Sequence, residues 1–76
     1  MTTPTAAEIA KDYSAAGDSV TLINELVAIN TLTDEEKDSV RRNVEHLELM
    51  VAKDFWTTED LTPLNSAVTA GKAKIA

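Results

Sequence analysis

The chain has 76 residues, no cysteine, and thirteen acidic against seven basic side chains, for a formal net charge of −6. One domain is the only sensible count, and it must hold together without a disulfide or a thiolate metal site although a chain this short buries only about 60% of its unfolded surface. That leaves well-packed helices or self-association as routes to stability, and the acidic balance disfavours phosphate backbones and anionic membranes as partners.

The first element opens at Thr3-Pro4-Thr5-Ala6-Ala7-Glu8. Either Thr3 caps it with Pro4 in the first turn, or Thr5 caps it with Glu8 closing a capping box. Ala6, Ile9, Ala10, Tyr13 and Ala16 recur at helical spacing, a thin stripe anchored by Ile9 and Tyr13. Gly17 reads as the stop, in the left-handed conformation. Were it tolerated mid-helix, the first two helices would fuse into one rod. Asp18 or Ser19 then caps a second helix with Val20, Ile23, Leu26, Val27 and Asn30 on its face, widened by Leu22 and Ile29. A segment this apolar is expected to be mostly buried. Asn30-Thr31-Leu32 is a short connection, which makes this helix and the next antiparallel neighbours.

The strongest signal follows. Thr33-Asp34-Glu35-Glu36 is a capping box with acids in the first turn, suited to the positive end of the helix dipole. Val40, Val44, Leu47 and Val51 then form one stripe, and no Gly or Pro interrupts the run, so a helix is predicted from Asp34 to about Phe55. Asp38 precedes Arg41 and Arg42, and Arg41 precedes Glu45, at spacings that support an exposed face. Leu49 breaks the pattern by pointing roughly opposite the stripe, with Met50 on the shoulder between. Two readings fit Leu49: contact with another helix of the same chain, or contact with a second subunit or partner.

Phe55-Trp56 is the largest apolar volume in the chain. Phe55 can fill the core at the turn with Trp56 covering the join, or Trp56 can anchor an interface. Thr57 or Thr58 then begins a capped turn with Glu59-Asp60. Pro63 cannot donate a helical hydrogen bond, so Thr62 is assigned as cap with Pro63 at the first helical position. Leu61, Leu64, Val68 and Ile75 make the stripe of a final helix to about Lys72, whose end Gly71 weakens and Lys72 and Lys74 suit. The expected fold is all-α: one domain over residues 1–76, a small bundle of three to four short antiparallel helices.

Chemistry-bearing patterns are few. His46 is the only histidine, and Asn43 rather than Glu precedes it by three, which breaks the di-iron pattern of helical bundles. It reads as solvated or interfacial. Asp34, Glu36, Asp38 and Glu45 match positions of a calcium-loop count, but Ser39 stands where the sharp turn needs Gly, and helix capping explains the same acids. No serine sits in a nucleophile motif, and two glycines at 17 and 71 cannot make a phosphate loop. No catalytic residue, metal ligand or cofactor is therefore assigned, and no enzyme is expected. No apolar run approaches the ~20 residues of a membrane span, and Met1-Thr2-Thr3-Pro4 lacks the basic and apolar regions of a secretion signal. The expectation is a protein of the cytoplasm with no nucleic-acid or membrane partner.

The wording of the chain adds an origin. Arg42-Asn43-Val44-Glu45-His46-Leu47-Glu48 and Ala52-Lys53-Asp54-Phe55-Trp56-Thr57-Thr58-Glu59-Asp60-Leu61 resemble small proteins of the tailed phages of marine cyanobacteria. The opening Met1-Thr2-Thr3-Pro4-Thr5-Ala6 and the closing Asn65-Ser66-Ala67-Val68-Thr69-Ala70-Gly71-Lys72-Ala73 are similar too, and the likeness is weakest between Ile29 and Lys37. It implies a phage or marine environmental source, a host-cell setting, and no activity, so no functional residue carries over. The functional expectation is a non-enzymatic interaction module, self-associating or docking on a host or phage protein, with His46, Leu49, Met50 and Trp56 as candidate interface residues. The alternatives are a minor virion or assembly component and an acidic inhibitor directed at a host protein.

Overall fold

A computed structural model describes residues 4–76. Three helices follow one another: α1 Ala6–Val27, α2 Asp34–Val51 and α3 Thr62–Ile75. Each packs against both others, in an elongated bundle with principal extents of 42 × 20 × 17 Å. No strand occurs among the described residues.

The count is three rather than four because Gly17 does not end a helix. α1 runs through it for 22 residues. Neither glycine adopts a positive φ. The reason is phase: Tyr13, Ala16, Val20, Ile23 and Val27 step by three and four across Gly17, so one continuous helix keeps the whole line on the core side. A mid-helix glycine costs about 1 kcal/mol relative to Ala, less than burying even one side chain such as Ile23 returns, roughly 1.5–3 kcal/mol. Thr5 caps α1, its hydroxyl accepting from the Glu8 N–H at 3.2 Å. The alternative cap at Thr3 lies outside the described residues. Ser19, expected as a cap, is instead mid-helix and buried. The second half of α1 and the residues just after it are less covered than expected, with Leu22 in the helix and Ile29 beyond its end both 38% exposed.

α2 begins as the sequence predicts. The Glu36 N–H donates to Thr33 Oγ1 at 3.1 Å and the Thr33 N–H donates to Glu36 Oε1 at 2.9 Å. Its end comes earlier, at Val51 with Ala52 as C-cap, so Phe55 and Trp56 fall in the connection to α3. Val40, Val44 and Leu47 are buried and Val51 packs against them. Leu32, just before the cap, is buried in the same cluster.

α3 starts with Leu61 at the cap position and Pro63 in its first turn, and runs three residues beyond Lys72, to Ile75. Its inner line is Leu64, Ala67 and Gly71, with Leu61, Val68 and Ile75 flanking. Gly71 is no weak end. A Cβ placed on it would sit 2.6 Å from Val44 Cγ2 and 3.3 Å from both Ile23 Cγ2 and Val40 Cγ1. The absent side chain is what lets α3 come down onto α1 and α2 at one point. Between α2 and α3, residues 52–61 form bends rather than the capped turn expected at Thr57 or Thr58; the Thr58 N–H instead donates to the carboxylate of its neighbour Glu59 at 2.9 Å.

Candidate functional site

The four residues singled out as interface candidates are not gathered into one patch. Leu49 is 69% exposed, the most exposed large apolar side chain among the described residues. That removes the reading in which it touches another helix of its own chain. Met50 is only 6% exposed and belongs to the interior, although it directly follows Leu49. One residue is 100° on a helix, enough to carry Met50 over the shoulder into the core.

Trp56 is half-buried. Its indole N–H donates at 2.7 Å to the Met50 carbonyl at the end of α2, which also accepts from the Lys53 N–H at 3.1 Å. Its ring meets Tyr13 at 5.9 Å and Phe55 at 4.7 Å, both edge-on. Tyr13 in turn donates its hydroxyl to the Asp60 carbonyl at 2.6 Å. Phe55 thus fills no core position; it joins an aromatic cluster that straps residues 52–61 onto α1 and the end of α2.

His46 is half-buried and ties α2 to α1, with Nδ1 3.0 Å from Ser19 Oγ. A histidine on a serine hydroxyl is the contact that nucleophilic catalysis uses. Here the serine is only 7% exposed, inside a helix, and no carboxylate bonds to the imidazole among the described residues. The pair serves as a buried polar tie between helices. No buried side-chain nitrogen or oxygen among the described residues lacks a partner, and no three of His, Asp or Glu converge so as to hold a metal ion. No helix of the described residues is long and apolar enough to cross a membrane.

The surface around Leu49 is built from α2 alone. Glu45 and Glu48 line a shallow open depression beside it. Glu48 pairs with Lys72 of α3 at 2.6 Å, which closes one side. Glu45 has no ion pair among the described residues; Arg41, expected to reach it, pairs at 3.1 Å with Asp38, which also binds Arg42. The Arg42 guanidinium on Asp38 holds that carboxyl below its ordinary range. Beyond the helix end, Lys53 lies 5.7 Å over the Phe55 ring, again with no ion pair among the described residues. A second open depression, lined by Thr62, Asn65, Ser66, Thr69, Ala70 and Ala73, follows the small-residue outer face of α3.

Sequence reasoning missed three of these positions. Ser19 was discoverable, since Ala16, Ser19 and Ile23 fall at helical spacing on one line once Gly17 is read through. Gly71 and the Tyr13–Asp60 contact have no local signal, because each is defined by segments far apart in the chain. Against known proteins, no family model matches this chain, and neither does any curated protein or solved structure.

Proposed function

We propose that this protein is a non-enzymatic interaction module that works by self-association, with Leu49 at the centre of the contact. The observation that carries the reading is Leu49 itself: a leucine 69% exposed in the last turn of the helix whose opposite face supplies the hub of the core. A partner that covers this side chain removes it from water, which is worth roughly 1.5–3 kcal/mol per copy when the burial is complete. The thin core argues the same way. Among the described residues, nine apolar side chains are buried and two of those are alanines. A domain this small gains from any partner that binds only the folded form.

The reading takes helices adjacent in sequence as antiparallel, supported by the short link from Ala28 to Thr33 and by the Ser19–His46 contact across it. Its setting is a phage or marine environmental genome and the cytoplasm of the host cell, supported by the shared wording described above. The acidic-inhibitor alternative loses ground because the acids near Asp34 have internal work: Glu36 closes the capping box and Asp38 binds two arginines.

Sedimentation equilibrium tests the proposal. The wild-type chain is expected to exceed its 8.2 kDa monomer mass in a concentration-dependent way, and Leu49→Ser to run as a helical monomer. A wild-type monomer at every concentration overturns it.

A further inference from the structure

The outer face of α2 says how a second copy would sit. Glu45 lies four residues before Leu49 and Lys53 four after it. Ala52 keeps right-handed helical angles, φ −72° and ψ −14°, and the Lys53 N–H donates to the Met50 carbonyl at 3.1 Å, so a tighter final turn carries the chain to Lys53 although the helix proper ends at Val51. At 100° per residue Glu45 lies about 40° from Leu49 around the axis, and Lys53, one turn beyond Leu49, lies on its other side. The result is a short line of three groups: an acid, an apolar centre and a base. The two charges have no ion pair within their own chain among the described residues, although the Lys53 ammonium lies 5.7 Å over the Phe55 ring; on the rest of α2, Asp38 holds Arg41 and Arg42, and Glu48 holds Lys72.

We infer that two copies pack α2 against α2 in antiparallel sense, on a two-fold axis through Leu49, with Glu45 of each protomer facing Lys53 of the other. The inference rests on the self-association reading and adds the register to it. A two-fold contact joins a surface to itself, so a group on one side of the axis meets the group equally far beyond the axis on the partner. An acid and a base equidistant from the axial leucine are therefore complementary twice over. A parallel pairing would set Glu45 against Glu45 and Lys53 against Lys53. Sliding the antiparallel register by one turn would place Glu45 against Leu49 and leave Lys53 without its partner. Among these alignments, only the one centred on Leu49 buries the leucines together and neutralises both charges.

Charge reversal tests the register. Glu45→Lys and Lys53→Glu each place like charges across the axis, and each is expected to weaken dimerisation about tenfold at low salt, an effect that shrinks as salt is added. The double variant Glu45→Lys/Lys53→Glu restores opposite charges and is expected to regain wild-type affinity. Both positions are exposed, so circular dichroism should show unchanged helicity in all three. Three results would overturn the inference. A wild-type dimer broken by Leu49→Ser but indifferent to the charge reversals overturns the register and leaves self-association standing. A double variant as weak as the single ones does the same. A wild-type chain that stays monomeric removes both.

Discussion

Gly71 and Gly17 are both helical, and their surroundings ask opposite things of them. The space where a Gly71 side chain would go is filled by Val44, Ile23 and Val40. Gly71→Ala must push β-branched side chains of the core, and overpacking of that kind costs about 1–3 kcal/mol. It should lower the urea midpoint. Nothing lies within 4 Å of a Cβ on Gly17. Gly17→Ala should therefore raise stability by about 0.5–1 kcal/mol, through helix propensity and a less flexible unfolded chain. If both substitutions raised the midpoint, the packing at Gly71 would be wrongly described; if both lowered it, the open space at Gly17 would be. Ser19 and His46 form the other residue-scale tie. Ser19→Ala leaves a half-buried ring nitrogen without its partner at 3.0 Å and should cost about 1 kcal/mol in the same assay. Neither glycine's role has a local signal in the sequence. Gly17 carries a stop signal worth about 1 kcal/mol, and tertiary burial on a line that keeps its phase overrides it. Gly71 looks like any glycine near a helix end until α1 and α2 are placed beside it.

Among the elements, α2 was the most legible because its signals are local. The capping box, the acidic first turn and the Val40–Val44–Leu47–Val51 line all lie within one stretch of chain. Thr33→Ala should cost about 1 kcal/mol of stability. Its end was harder to read. Helical spacing continues toward Phe55, but the aromatic cluster draws residues 52–61 away to Tyr13. That connection also carries a pH dependence. The Thr62 N–H donates to Asp60 Oδ1 at 2.9 Å, and that bond holds the carboxyl below its ordinary range. A carboxyl lowered in the folded state stabilises the fold above its unfolded pKa, and the contribution is lost as pH falls through the lowered value. Asp60→Asn, which does not titrate, should therefore flatten the acid limb of the stability–pH curve by lowering stability in the neutral region while leaving it nearly unchanged in acid. An acid limb identical to wild type would show that the carboxylate does not brace the start of α3.

At the scale of the whole molecule, three helices meet around Ile23, Val40, Leu47 and Leu64, the largest side chains that are fully buried. The all-helical bundle was legible from periodicity alone. The candidate surface was legible only in part. Periodicity put Leu49 outside, where it is, but could not place Met50 inside or bind the Trp56 indole to a backbone carbonyl. Those outcomes depend on where α2 ends and on what Tyr13 offers across the bundle. What remains outward is a single leucine between two opposite charges, and the account stands on a second copy covering it.

The absence of cysteine permits a direct measurement. Leu49→Cys places one thiol per chain on the inferred two-fold axis, and Thr69→Cys places one on the exposed outer face of α3 as a control. Under mild oxidation, the rate of covalent dimer formation reports how often the two thiols meet. The account predicts that the residue-49 variant becomes a disulfide-linked dimer much faster than the control, and that an excess of wild-type chain slows it. Equal slow rates for both variants would contradict it.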